Sequence, residues 1–169
     1  NTWNEQQISP YYFFRSLYFA NINSGYICGN GRIYKTTDNG NNWTEQNIPR
    51  HPSSFSDLEF IDLNKGYAVG DSNCVIKTSD GGVNWNVMHF GNNVIYNDIS
   101  LQSFGSGFIV GYYGTLLKMT EQGNTYESVR YSVRNNFNSL SSVDSTFAFV
   151  VGDSGSMMKY SNNKWYTVN

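Results

Sequence analysis

Gly29, Gly70, Gly111 and Gly152 stand at a constant step of 41 residues, and other columns keep the same step. Leu17, Leu58, Ile99 and Leu140 are in phase with them, as are Phe14, Phe55, Tyr96 and Phe137. Lys35, Lys77, Lys118 and Lys159 follow with one single-residue adjustment. A chain in phase along its whole length is built from copies of one supersecondary unit, and each copy needs its neighbours to bury its apolar faces. The 169 residues form one domain of four units, approximately 9–48, 49–90, 91–130 and 131–169, with 1–8 as an extra outer strand led by Trp3.

Within a unit the pattern is that of strands. First segments begin at Leu17, Leu58, Ile99 and Leu140. Second segments are Gly25-Tyr-Ile-Cys-Gly29, Gly66-Tyr-Ala-Val-Gly70, Gly107-Phe-Ile-Val-Gly111 and Ala148-Phe-Val-Val-Gly152. Such short apolar runs suit strands buried on both faces. Third strands end on the lysine column, and fourth strands begin at Trp43, Trp85, Tyr126 and Trp165. Four short antiparallel strands per unit of about 41 residues make the blade of a β-propeller, so the fold class is all-β.

Between the third and fourth strands the first two units share Thr-x-Asp-x-Gly-x-x-Trp: Thr36, Asp38, Gly40 and Trp43, then Thr78, Asp80, Gly82 and Trp85. Asp accepts hydrogen bonds from nearby amides, and Gly tolerates the positive φ of a tight hairpin. Together with Gly66-Tyr-Ala-Val-Gly70, this turn resembles the repeat of photosystem II assembly/stability factor-type propellers. These belong to the wider Asp-box class, also called bacterial neuraminidase repeats. The resemblance covers nearly the whole chain and weakens along it. The third unit has Glu121 for the Asp and Tyr126 for the Trp, and the fourth turn, Tyr160 to Trp165, lacks both Asp and Gly. It implies an assembly scaffold, a secreted binding module or the frame of a sialidase, and places the box away from the ligand-binding face. Asp38 and Asp80 are accordingly read as tying down their own hairpins rather than holding calcium or acting as acids. Trp43 and Trp85 are read as packing residues rather than sugar platforms, and the lysines as side chains snorkelling from strand ends rather than a basic ring.

Four sets of first-to-third strands lie among five aromatic-led strands, counting Trp3 to Ile8. Either the ring is four-bladed with a spare strand, or the chain is a section of a larger propeller, completed by further repeats or a second copy.

Composition limits the function. The net charge of −2 gives no footprint for nucleic acid. No apolar run approaches the roughly 18 residues of a spanning helix, so no membrane insertion is expected. With two Cys (Cys28 and Cys74) and two His (His51 and His89), no zinc motif is present, and neither metal nor cofactor is expected. The cysteines read as buried apolar residues, with a disulfide as the alternative. Low charge and Asn/Ser/Tyr richness point to an extracellular, cell-surface or periplasmic protein, and the N-terminus carries no signal-peptide pattern.

The loops joining strand two to three, and strand four to the next strand one, share one face, where binding specificity usually resides. Tyr11, Tyr12, Arg50, His51, Tyr112, Tyr113, Arg130 and Arg134 fall there and are the candidate ligand-binding residues. An aromatic and cationic rim suits protein or glycan contacts. The expected function is a non-catalytic binding or scaffold module. A sialidase-like glycosidase and a structural spacer or adhesin repeat are the alternatives. The first needs an arginine cluster and a Tyr/carboxylate pair that the sequence does not display.

Overall fold

The computed structural model describes residues 5–8, 11–49, 52–88, 94–102, 105–120, 125–129 and 134–168. Each repeat folds into a four-stranded antiparallel sheet with its strands in chain order. Blade 1 contains β1 (Ser16–Phe19), β2 (Gly25–Gly29), β3 (Arg32–Thr36) and β4 (Thr44–Glu45). Blade 2 contains β5 (Phe55–Phe60), β6 (Gly66–Gly70), β7 (Val75–Thr78) and β8 (Trp85–Met88). Blade 3 contains β9 (Tyr96–Leu101), β10 (Gly107–Gly111), β11 (Leu116–Thr120) and β12 (Thr125–Ser128). Blade 4 contains β13 (Phe137–Asp144), β14 (Phe147–Gly152), β15 (Met157–Ser161) and β16 (Lys164–Thr167).

Third strands run one or two residues past the lysine column, and fourth strands start within one residue of the aromatic column. Two larger differences from the sequence reading stand out. In blades 2 to 4 the first strand starts three residues early, because its aromatic column is part of the ladder. Phe55 pairs with Gly70, Tyr96 with Gly111 and Phe137 with Gly152, each beside a bulge. The extra outer strand over 1–8 is not found at residues 5–8, which have no strand structure; residues 1–4 lie outside the described residues. The neighbouring edge, β4, is only two residues long and both are exposed, so it offers little ladder to extend. Gln6 Nε2 instead donates to the Asn41 carbonyl (2.9 Å).

The glycine column has a steric cause. A Cβ on Gly70 would lie 2.3 Å from the Ser54 carbonyl oxygen, and one on Gly111 would lie 2.1 Å from that of Ile95. The aromatic strand passes too close to the second strand for any side chain there.

The core lies between blades. Tyr26, Cys28 and Ile33 of blade 1 pack on Phe55, Leu58, Phe60, Ala68 and Ile76 of blade 2. The next layer sets Tyr67, Val69 and Val75 against Ile99, Ile109 and Leu117; the third sets Phe108, Val110 and Leu116 against Leu140, Val150 and Met158. Cys28 and Cys74 are free thiols in the first layer.

The lysines do more than snorkel. Lys35 Nζ (2.7 Å) and the Tyr26 hydroxyl (2.9 Å) both donate to the Gly81 carbonyl, in the Asp-box turn of the next blade. Lys118 Nζ similarly reaches the Tyr160 hydroxyl of blade 4 (2.6 Å). At these two joints the lysine column clamps a blade to its successor, a role visible only once neighbouring blades are placed together.

The inner strands pack in sequence, β1 on β5, β5 on β9 and β9 on β13. β1 and β13 do not pack on one another in that way. Leu17 of blade 1 and Val151 of blade 4 are exposed where their counterparts Leu58, Ile99, Val69 and Val110 in the middle blades are buried.

Candidate functional site

Antiparallel order brings the turns between strands two and three, and the connections into strand one, to one end of every sheet. In blades 2 and 4 an aspartate opens the turn and is consumed within it. Asp71 accepts from the backbone amides of Ser53 (2.9 Å) and Ser54 (3.1 Å). Asp153 accepts from Asn136 Nδ2 (2.9 Å) and Asn138 Nδ2 (2.7 Å). These carboxylates hold the incoming connection against the turn.

Blade 3 is built differently. Tyr112 and Tyr113 occupy the positions of Asp71-Ser72 and Asp153-Ser154, in a 3₁₀ turn over Tyr112–Gly114. Tyr113 takes φ 58°, as Ser72 and Ser154 do at 54° and 56°. The left-handed region is uncommon for a bulky residue, and such outliers gather at binding sites. Its amide donates to Asn136 Oδ1 (3.1 Å), which ties the turn to blade 4. The ring, 71% exposed, stands edge-on to Tyr112 at 6.1 Å. Asp71, Ser72, Val94, Ile95, Tyr112 and Tyr113 line an open pocket of about 390 Å³ between blades 2 and 3.

On blade 1, Tyr11 is exposed and Tyr12 half-buried, with the Arg32 guanidinium 4.9 Å from the Tyr12 ring. Arg32 also pairs with Glu45. The two tyrosine pairs share the face but lie on blades 1 and 3, with blade 2 between them. Arg134 is exposed; Arg50, His51 and Arg130 lie outside the described residues.

The two Asp boxes are structural on this geometry. Thr36 Oγ1 donates to Asp38 Oδ1 (2.8 Å) and accepts from the Gly40 amide (3.0 Å), while Asp38 accepts from the Asn42 amide (2.9 Å) and Nδ2 (2.7 Å). Thr78, Asp80, Gly82 and Asn84 repeat the arrangement. Hydrogen bonds from Asn42 first, then Thr36, hold Asp38 below the usual carboxylate range; those from Asn84 first do the same for Asp80. Trp85 is buried against Phe60, whereas Trp43 is half-buried beside Phe19.

A second set of carboxylates escaped the sequence reading. Asp57 and Asp98 on the inner strands occupy one column at the 41-residue step, with Ser16 and Ser139 on either side of them. Each accepts the amide of the next inner strand: Ile99 N to Asp57 (3.1 Å) and Leu140 N to Asp98 (2.6 Å). Ser16 Oγ donates to Asp57 (2.6 Å), and Leu101 N donates to Glu59 (2.6 Å). A charged column inside an apolar strand was the available signal. These groups lace blade to blade along a shallow groove, and among the described residues no cluster of three His, Cys, Asp or Glu is placed to hold a metal.

Burial pushes Glu59 up to about 7, helped by the Asp98 charge and opposed by the Leu101 amide. Burial also raises Asp57, and the neighbouring Asp98 carboxyl adds to the rise. The folded chain holds these protons where the unfolded chain has released them. Their stabilisation is therefore complete below about pH 4 and is lost as pH rises through about 7. The melting temperature should fall from about pH 5 to about pH 8, and Asp57→Asn with Glu59→Gln should flatten the decline. A midpoint that rises over this window contradicts the assignment.

The sequence model described as photosynthesis system II assembly factor YCF48 matches residues 1–92 and 47–132. No curated protein sequence matches the chain. Among solved structures, one described as YCF48 bound to D1 peptide is 18% identical, with a TM-score of 0.75 over 91% of this chain and 54% of its own. YCF48 from Cyanidioschyzon merolae is 15% identical, with a TM-score of 0.71 over 91% of this chain and 55% of its own. Virginiamycin B lyase from Staphylococcus aureus is 12% identical, with a TM-score of 0.80 over 95% of this chain and 57% of its own. At these identities the likenesses concern the fold, and the chain spans little more than half the length of these structures.

Proposed function

We propose, since the chain belongs to the photosynthesis system II assembly factor YCF48 family, that it is a non-catalytic module binding a segment of another protein across its loop face. The observation that carries this reading is Tyr113: a bulky ring in a left-handed turn, largely exposed above an open pocket, where blades 2 and 4 have serine and blade 1 has Gly31. An exposed aromatic on a rigid turn gives contact area at low entropic cost and is a common binding hot spot. The neighbouring Val94 and Ile95 supply apolar lining, and Tyr112 a hydroxyl. One structurally similar protein is bound to D1 peptide, a ligand of the same class. Catalysis has little support. Asp57, Glu59 and Asp98 are engaged with backbone amides, and Arg32 is paired with Glu45.

Panning a displayed library of linear peptides against the immobilised chain tests the proposal. Enriched peptides should bind with an affinity that falls about tenfold or more in Tyr113→Ser. Serine already occupies this turn position in blades 2 and 4, so the variant should fold. Absence of any enriched peptide, equal binding by the variant, or binding to a glycan panel alone overturns the proposal.

A further inference from the structure

The joint between blades 3 and 4 lacks two residues that fill the corresponding joint between blades 1 and 2. Six residues separate Thr78 from its strand partner Trp85, but only four separate Tyr160 from its partner Trp165. The longer turn of blade 2 carries Gly81 and Gly82 onto blade 1. The Gly81 carbonyl takes Lys35 Nζ and the Tyr26 hydroxyl, and a Cβ on Gly82 would lie 3.1 Å from Gln46 Oε1. In blade 4 the strands are joined by Asn162 and Asn163 alone, at φ 51° and 58°, the two left-handed residues of a tight hairpin. Lys118, in the Lys35 column, reaches the Tyr160 hydroxyl instead, and Phe108 stands in the Tyr26 column without a hydroxyl. The place of the two glycines is left as an open pocket of about 320 Å³. Lys118, Glu127 and Val129 line it from blade 3, Val129 standing in the Gln46 column, and Lys164 and Trp165 line it from blade 4.

We propose that this pocket binds a free amino acid with an apolar side chain. The inference is independent of the loop-face reading, because the pocket opens at the opposite end of the sheets. The space is the one that the main chain of two glycines occupies in the sister joint, and an amino acid brings the same kind of atoms. Its carboxylate oxygen stands on Lys118 as the Gly81 carbonyl oxygen stands on Lys35. Lys118 gives one of its three hydrogens to Tyr160 and keeps two for this purpose. The charges complement a zwitterion. Glu127 lies directly across the ladder from Lys118, and Lys164 faces both from blade 4. Among the described residues neither Glu127 nor Lys164 makes a side-chain hydrogen bond or an ion pair. The two ammonium groups take the α-carboxylate, and Glu127 takes the α-ammonium, through charge-assisted hydrogen bonds. Val129 and the half-buried Trp165 ring supply the apolar wall for the ligand's side chain, at a place where blade 1 has the polar Gln46.

Titrating the chain with L-leucine up to about 10 mM, read by backbone amide chemical shifts, tests this. Saturable changes are expected at Lys118, Glu127, Val129 and Asn163 to Trp165. Leucinamide lacks the carboxylate and N-acetylleucine lacks the ammonium, so each should bind at least about threefold more weakly. Glu127→Gln and Lys164→Gln alter exposed positions and should keep the stability of the parent chain. Glu127→Gln should weaken L-leucine by a similar factor and leave N-acetylleucine unchanged. Lys164→Gln should weaken L-leucine and leave leucinamide unchanged. The proposal is overturned by the absence of saturable shifts, by shifts confined to other parts of the chain, by equal binding of the three compounds, or by L-leucine binding that neither substitution alters.

Discussion

Trp85→Ala is expected to destabilise the chain by about 3–5 kcal/mol, among the largest losses any single truncation here should produce. The indole is buried in the layer between blades 1 and 2 and meets Phe60 edge-on at 6.1 Å. That layer also contains the stacked pair Tyr26 and Phe60, at 3.9 Å between ring centroids. Removing the indole opens a void among residues held by two different sheets, and neither sheet can collapse into it without breaking its own ladder. Trp43→Ala is the internal control. It removes the same residue from the same motif, but Trp43 is half-buried and meets Phe19 of its own blade edge-on. The loss should be clearly smaller, as read by denaturant unfolding of both variants. Equal losses would mean that the indole stabilises its own hairpin and not the joint between blades.

Gly111→Ala should cost about 3 kcal/mol or more, at the upper end of what overpacking produces. At φ −174° the backbone of Gly111 is extended and open to any residue. The cost is therefore purely steric. A Cβ would sit 2.1 Å from the Ile95 carbonyl oxygen and 3.0 Å from Tyr96 Cα, and neither is the end of a side chain that can move aside. Gly155→Ala gives the contrast. It has φ +70° but nothing within 4 Å of the added carbon, so only backbone strain of about 1 kcal/mol is expected. Thermal unfolding of the two variants would separate close approach from left-handed strain. A milder effect at position 111 than at position 155 would refute the steric account of the glycine column.

The fold was legible because repetition multiplies weak signals. One Asp/Gly turn before a Trp says little, but columns in phase across four units fix strand number, blade size and the buried positions. Partner-dependent features were harder to read. The lysine column resembled snorkelling side chains because its target, the Gly81 carbonyl, belongs to the next blade. The Asp57 and Asp98 column was overlooked because carboxylates on inner strands find their donors one blade away. On the loop face, composition singled out Tyr112 and Tyr113 but not the left-handed turn that lifts Tyr113 into solvent. Nor could composition reveal that Asp71 and Asp153 are occupied by their own loops.

The binding claim rests on one face of this frame, and backbone amide chemical shifts during titration with a selected peptide test it most directly. The predicted changes cluster on Asp71 to Asn73, Val94 and Ile95, and Tyr112 to Gly114, around the open pocket between blades 2 and 3. Changes confined to the Asp-box turns at Asp38 to Asn42 and Asp80 to Asn84, or to the inner groove at Asp57 and Ser100, would contradict it.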